Sequence, residues 1–121
     1  MNAIYQEAAK RLRDAYAGST VAPLRDLLEP TDSVGAYAVQ EINTRLWQAE
    51  GRRIVGRKAG LTAEAVQKQL GVDQPDFGVL FADMQIADGG RLDPAQSIQP
   101  KAEAEIAFVL GADLPSPQTT A

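Results

Sequence analysis

The chain has no cysteine and no histidine among its 121 residues. The first absence removes a disulfide framework, a thiolate metal site and a cysteine nucleophile. The second removes Ser-His-Asp and Cys-His arrangements and every zinc site that needs an imidazole. Positive charge is not in excess: 12 basic residues face 16 acidic ones, for a net charge of -4. Arg52, Arg53, Arg57 and Lys58 cluster only locally, so a nucleic-acid partner is not expected. No apolar run is long enough to span a bilayer, and none is expected to meet a membrane. The opening Met-Asn-Ala-Ile-Tyr-Gln-Glu carries no apolar signal-peptide segment, which points to a cytoplasmic protein. Carboxylates, lysine, hydroxyls, backbone amides and a metal held by oxygen are the chemistry that remains.

What is present is globular in composition, 45% hydrophobic and 23% charged, with length for a single core. Ile4, Ala8, Leu12 and Tyr16 recur every four residues, with Ala9 and Ala15 beside them, and predict an amphipathic helix over residues 2–17 that Gly18 stops. A loop through Pro23 leads to a short turn around Leu24 to Leu28. Thr31, Asp32 and Ser33 are good N-cap residues for a second helix over about 33–50. Ala36, Val39, Ile42, Leu46 and Ala49 form its apolar stripe, and Gly51 suits the position after its end. Both helices are read as scaffold, and residues 1–51 as a helical N-terminal region.

The texture changes at Arg52. Ile54-Val-Gly-Arg-Lys58 is a short strand running into Ala59-Gly60. Thr62 is placed to cap a helix over 63–70, which Gly71 ends. Asp73-Gln-Pro-Asp-Phe-Gly78 is rich in turn residues, Val79-Leu-Phe81 reads as a buried strand, and Asp88-Gly-Gly90 marks a loop. No internal repeat or low-complexity tract interrupts the chain. Residues 111–121 have the composition of a loop.

The most informative run is Pro100-Lys-Ala-Glu-Ala-Glu-Ile-Ala-Phe-Val-Leu110. It alternates as a strand does, with Glu103 and Glu105 on one face. Carboxylates two residues apart on a strand lie about 6.6 Å apart at the backbone, close enough to lean onto one hard divalent cation. Burying unpaired carboxylates among apolar neighbours is costly, which favours a metal; the competing reading is an edge strand with two exposed charges. Lys58, beside Arg57 and small residues, has the setting of a proton-transfer lysine or of a surface lysine. Asp76 after Pro75 suits a turn as well as catalysis, and Phe77 suits a core.

Together these motifs are specific. The stretch Ile54-Val-Gly-Arg-Lys-Ala-Gly-Leu-Thr-Ala-Glu-Ala-Val-Gln-Lys-Gln-Leu-Gly-Val-Asp-Gln-Pro-Asp-Phe-Gly-Val-Leu-Phe-Ala-Asp-Met84, then 101–110, with Tyr37-Ala-Val-Gln-Glu-Ile42 before them, resembles the 2-keto-4-pentenoate hydratase and 4-oxalocrotonate decarboxylase family of the fumarylacetoacetate hydrolase superfamily. The resemblance implies an α+β fold, with N-terminal helices packed on the beginning of a mixed β-sheet or roll, and residues 52–121 as the first part of the catalytic domain. It implies Mg2+ or Mn2+ held by Glu103 and Glu105, with Lys58 and Asp76 as the catalytic residues and Arg57, Leu70 and Phe77 at the substrate. The implied reaction is hydration of 2-hydroxypenta-2,4-dienoate to 4-hydroxy-2-oxopentanoate in aromatic meta-cleavage catabolism. The alternatives are 4-oxalocrotonate decarboxylation and a non-catalytic remnant that acts as an interaction module. Partners implied are the small 2-oxo or 2-hydroxydienoate acid, further copies of the chain in a homo-oligomer, and a paralogous decarboxylase or hydratase. The family's third metal carboxylate lies tens of residues beyond the Glu-x-Glu pair, so the chain reads as an N-terminal part of such an enzyme.

Overall fold

Helices α1 (Ala3–Tyr16) and α2 (Ser33–Ala49) form where the four-residue recurrence of apolar positions places them. The computed structural model describes residues 2–16, 18 and 20–115, so residue 17, the expected last residue of α1, lies outside the described residues. By compactness the chain divides into two units, residues 1–85 and 86–121. The change in texture at Arg52 is a change of secondary structure within the first unit.

In the first unit α1 packs on α2 through very small side chains. Ala8, Ala9 and Val39 are buried, and Tyr5, Leu12, Leu24, Leu27, Leu28 and Ile42 close around them. The buried line of α2 is Gly35, Val39, Asn43 and Thr44. It is rotated from the expected stripe: Val39 and Ile42 stay inside, while Ala36, Leu46 and Ala49 are exposed. Two close approaches explain the rotation. A Cβ on Gly35 would stand 3.0 Å from Cε1 of Tyr5, and Asn43 Oδ1 accepts from Arg13 Nη1 at 2.6 Å. A glycine and a satisfied amide let the helices approach where larger apolar groups would hold them apart. Asp32 is the N-cap of α2, its Oδ1 accepting from the Gly35 amide at 2.7 Å, and Gly51 follows the helix with φ of 98°.

Strands β1 (Ile54–Gly60) and β2 (Asp76–Phe81) pair antiparallel, with α3 (Glu64–Leu70) in the connection between them. The register sets Lys58 opposite Gly78 and Gly60 opposite Asp76, with an irregularity between Ile54 and Gly56. Thr62 does not cap α3. Ala63 holds the N-cap position with an extended backbone, and its methyl group offers no acceptor for a capping bond. Gly71 closes α3 in the left-handed region at φ of 72°, its amide reaching the carbonyls of Gln67 and Lys68. β2 starts three residues earlier than Val79, taking in Asp76, Phe77 and Gly78, which the turn-rich composition placed in a loop.

α2 is joined to the hairpin at both ends of β2. Phe81, 1% exposed, meets the Trp47 ring edge-on at 5.8 Å, and Trp47 meets Tyr16 at 5.3 Å. The Arg52 guanidinium lies 4.1 Å from the centre of the Phe81 ring and forks onto Asp83 at 2.7 and 2.8 Å. Burying the Phe81 side chain contributes roughly 1.5–3 kcal/mol. At the other end, Tyr37 and Gln40 reach the backbone of Phe77.

The second unit contains a short 3₁₀ turn at Pro94–Gln96, capped by Asp93, and a turn at Gly89 with φ of 72°. The expected Glu103/Glu105 strand does not form. Residues 101–110 have no regular secondary structure and every one is exposed. Alternation is a necessary property of a half-buried strand, but a strand exists only as part of a ladder, and among the described residues no segment pairs with this one. The loop read over 111–121 is seen as bends and irregular chain to residue 115; its remainder lies outside the described residues. Among the described residues, no helix is long and apolar enough to cross a membrane.

Candidate active site

Residues directly opposite in an antiparallel pair share a face, as do residues two apart on one strand. The register therefore puts Lys58, Gly60, Asp76 and Gly78 on one face of the hairpin. Lys58 and Asp76 are diagonal neighbours there, a relation that brings Cβ atoms to about 7 Å, within reach of a lysine and a carboxylate acting on one small molecule. The two glycines clear the space between them. A Cβ at Gly60 would overlap Oδ1 of Asp76, and at Gly78 it would meet nothing within 4 Å. The Asp76 carboxylate thus lies over Gly60, in the volume that any other residue would fill.

The backbone beyond Gly60 is unusual. Leu61 has φ of 54°, a left-handed conformation costing an L-residue about 1–2 kcal/mol. Its carbonyl accepts from Gln67 Nε2 at 2.6 Å, so α3 holds the turn that ends β1 beside Asp76. Strained residues that surrounding contacts enforce are a recurrent feature of functional sites.

On the helix side, Ser33, Ala36, Tyr37, Gln40, Asp76 and Phe77 line an open cleft of about 250 Å³. Tyr37 Oη accepts from the Phe77 amide at 2.9 Å, and Gln40 Nε2 donates to the Phe77 carbonyl at 3.1 Å. Both backbone groups of one residue are thereby taken by two side chains three positions apart on α2.

The other expected site residues are more dispersed. Arg57, opposite Val79, and Phe77, opposite Ala59, lie on the hairpin face turned away from Lys58 and Asp76. Arg57 Nη1 makes a long contact, 3.5 Å, to the Gly56 carbonyl, and Phe77 is 54% exposed. Leu70, 60% exposed, ends α3. Glu103 and Glu105 are in the second unit, exposed and two residues apart. Of the two readings, burial among apolar neighbours or exposed charge, the second holds for both glutamates, because among the described residues no ladder carries those neighbours into a core. As hard oxygen donors they suit Mg2+ or Mn2+. Among the described residues, however, no group of three or more carboxylates gathers that could hold a metal, so the pair by itself is an incomplete ligand set.

Sequence reading missed Tyr37, Gln40 and Gly60 as parts of this site. The signal for the first two was a polar pair at i, i+3 on α2, which faces one neighbour on any helix. No signal for Gly60 exists outside the register, which alone shows the carboxylate across from it.

No family profile matches the chain. It is 62% identical over 110 residues to 2-keto-4-pentenoate hydratase 1 of Dechloromonas aromatica, covering 90% of this chain and 42% of that protein. It is 58% identical over 113 residues to 2-keto-4-pentenoate hydratase of Burkholderia vietnamiensis, covering 93% and 43%. Among solved structures, 4-oxalocrotonate decarboxylase from Pseudomonas putida G7 complexed with calcium and acetate matches with a TM-score of 0.69 at 28% identity, over 78% of this chain and 37% of that one. The same decarboxylase complexed with magnesium and adipate gives 0.59 at 26% identity, over 69% and 32%. The chain thus spans about two-fifths of the length of the hydratases it matches. With that sequence identity over nearly all of its length and the α+β likeness, the chain belongs, over the stretch it covers, to the 2-keto-4-pentenoate hydratase and 4-oxalocrotonate decarboxylase family.

Proposed function

We propose that the chain is part of a hydratase that adds water to 2-hydroxypenta-2,4-dienoate, a reaction of aromatic catabolism, giving 4-hydroxy-2-oxopentanoate. The observation that carries this reading is the placement of Lys58 and Asp76 as diagonal neighbours on one face of the hairpin, with glycine opposite each. Hydration needs two proton movements along a conjugated acid. The 2-hydroxyl loses its proton while C5 gains one, giving the 2-oxo-3-enoate; water then adds at C4, its oxygen bonding there and a proton reaching C3. Lys58 and Asp76 are the donor and acceptor available for these transfers, a contribution typically worth 10²–10⁴-fold. Leu70 and Phe77, which lines the cleft beside Asp76, are proposed to contact the substrate, with Arg57 reaching it from the hairpin face opposite Lys58 and Asp76. Residues 52–121 are proposed to be the first part of the catalytic domain.

Glu103 and Glu105 are proposed as two ligands of Mg2+ or Mn2+. When bound, the cation supplies Lewis acidity at the 2-oxygen of the acid. Calcium and magnesium in the related decarboxylase support a divalent cation of this hardness. A cytoplasmic homo-oligomer, associating with a paralogous decarboxylase, completes the proposal. The hydratase reading ranks above decarboxylation because 62% identity to a hydratase outweighs 28% to the decarboxylase.

The test is loss of 2-hydroxypenta-2,4-dienoate by the 121-residue chain with Mn2+, against an EDTA control. Where metal-dependent loss exceeds spontaneous ketonisation, Lys58→Met and Asp76→Asn are expected to reduce it about 100-fold or more. No loss with the unaltered chain means that the ion needs a ligand besides Glu103 and Glu105. Equal loss with either variant removes the hairpin face as the active site.

A further inference from the structure

We propose that Tyr37 and Gln40 are positioning residues that set the Asp76 carboxylate over Gly60. In an antiparallel ladder the amide and carbonyl of one residue point the same way, toward the partner strand or away from it. At Phe77 both point away from β1, because the amide donates to Tyr37 Oη at 2.9 Å and the carbonyl accepts from Gln40 Nε2 at 3.1 Å. Helix α2 therefore closes the open edge of β2 at one residue, doing with two side chains what a third strand would do with its backbone.

That residue adjoins Asp76. The Asp76 backbone is fixed by its pairing with Gly60 and by the clamp at the next position, and the missing Cβ of Gly60 leaves the space in which the Asp76 carboxylate lies. The clamp stands on rigid elements, since α2 is tied to the far end of the same strand through Trp47 on Phe81, and the segments just beyond each, at Arg52 and Asp83, are joined by an ion pair. Phe77 and the cleft side chains are exposed, so water can replace either bond at little cost in stability. What water cannot replace is the fixed direction of the strand. The consequence for catalysis rests on the role proposed above for Asp76; the positional claim does not.

The experiment uses NMR on the 121-residue chain and its Tyr37→Phe, Gln40→Leu and Gln40→Lys variants. Three-bond couplings report the χ1 rotamer of Asp76, and hydrogen exchange reports the Phe77 amide. The Lys58 and Gly78 amides, which alternation places inside the ladder, report the fold. Tyr37→Phe is expected to speed Phe77 exchange about tenfold and to average the Asp76 rotamers, with Lys58 and Gly78 protection kept. A single Asp76 rotamer in both Tyr37→Phe and Gln40→Leu, with Phe77 exchange released, overturns the proposal. Should Tyr37→Phe lose ladder protection, Gln40→Leu against Gln40→Lys decides. Averaging only in the first, with the lysine variant retaining one rotamer through its remaining donor, supports the clamp; identical behaviour overturns it. Turnover is read separately: full activity of Asp76→Asn would sink the catalytic role of Asp76 and leave the clamp to be judged on the rotamer alone.

Discussion

At the scale of single residues, Gly60 is where stability and the proposed function can be told apart. A methyl group there meets only the end of a side chain, Oδ1 of Asp76, which can swing aside. Gly60→Ala is expected to change unfolding free energy by no more than about 0.5 kcal/mol while lowering turnover roughly 100-fold, checked by urea denaturation and dienoate assay of one preparation. Arg52 and Asp83 make the opposite case, a pair that serves the fold. The Arg52 guanidinium, hydrogen-bonded to Asp83, holds that carboxyl below its usual range, as Arg11 does for Asp26. A carboxyl whose folded pKa is depressed contributes stability that is complete above its unfolded value, near 3.9, and lost as pH falls through the folded one. Both pairs are exposed enough for salt to weaken them. Urea midpoints measured from pH 6 down to pH 2 should therefore fall below about pH 4, with a shallower fall in Asp83→Asn, whose side chain has no proton to gain.

At the scale of elements, β2 is decided at its two ends. Phe81 is buried against Trp47 and Arg52, and Phe77 is held by α2 through its backbone while its ring stays out. The second half of the turn-rich run, Asp76 to Gly78, thus yields a strand while residues 73–75 stay bent and irregular, because pairing with β1 and the edge contacts of α2 outweigh local preference there. The Glu103/Glu105 run is the reverse case. Its alternation suits a strand, yet among the described residues no strand pairs with it and it stays irregular, with Ile106, Phe108 and Val109 exposed at 86, 88 and 95%. Metal binding at this element is testable apart from activity. Changing both Glu103 and Glu105 to Gln should remove Mn2+ binding measured by water-proton relaxation, because amide oxygens are poor substitutes for two carboxylates at a hard cation. Unchanged affinity would take the pair out of the metal site.

At the scale of the whole molecule, the chain carries two compact units, and the residues expected to work together are divided between them: Lys58 and Asp76 in residues 1–85, Glu103 and Glu105 in residues 86–121. The absences of histidine and cysteine, the helix limits near Gly18, Asp32 and Gly51, the α+β class and the family were legible in the sequence. Each rests on local chemistry: capping groups, glycine conformations, four-residue periodicity and the order of motifs. Glu103 and Glu105 stand as proposed ligands only, and their expected strand does not form among the described residues, since a ladder needs a partner that alternation cannot supply. Which face of α2 is buried was decided by tertiary packing, through the close approach at Gly35 and the Arg13–Asn43 bond. So was the meeting of Lys58, Gly60 and Asp76, residues up to 18 positions apart that share one face only because of the register of β1 on β2. Register is a property of two strands together, and no stretch of sequence read by itself contains it.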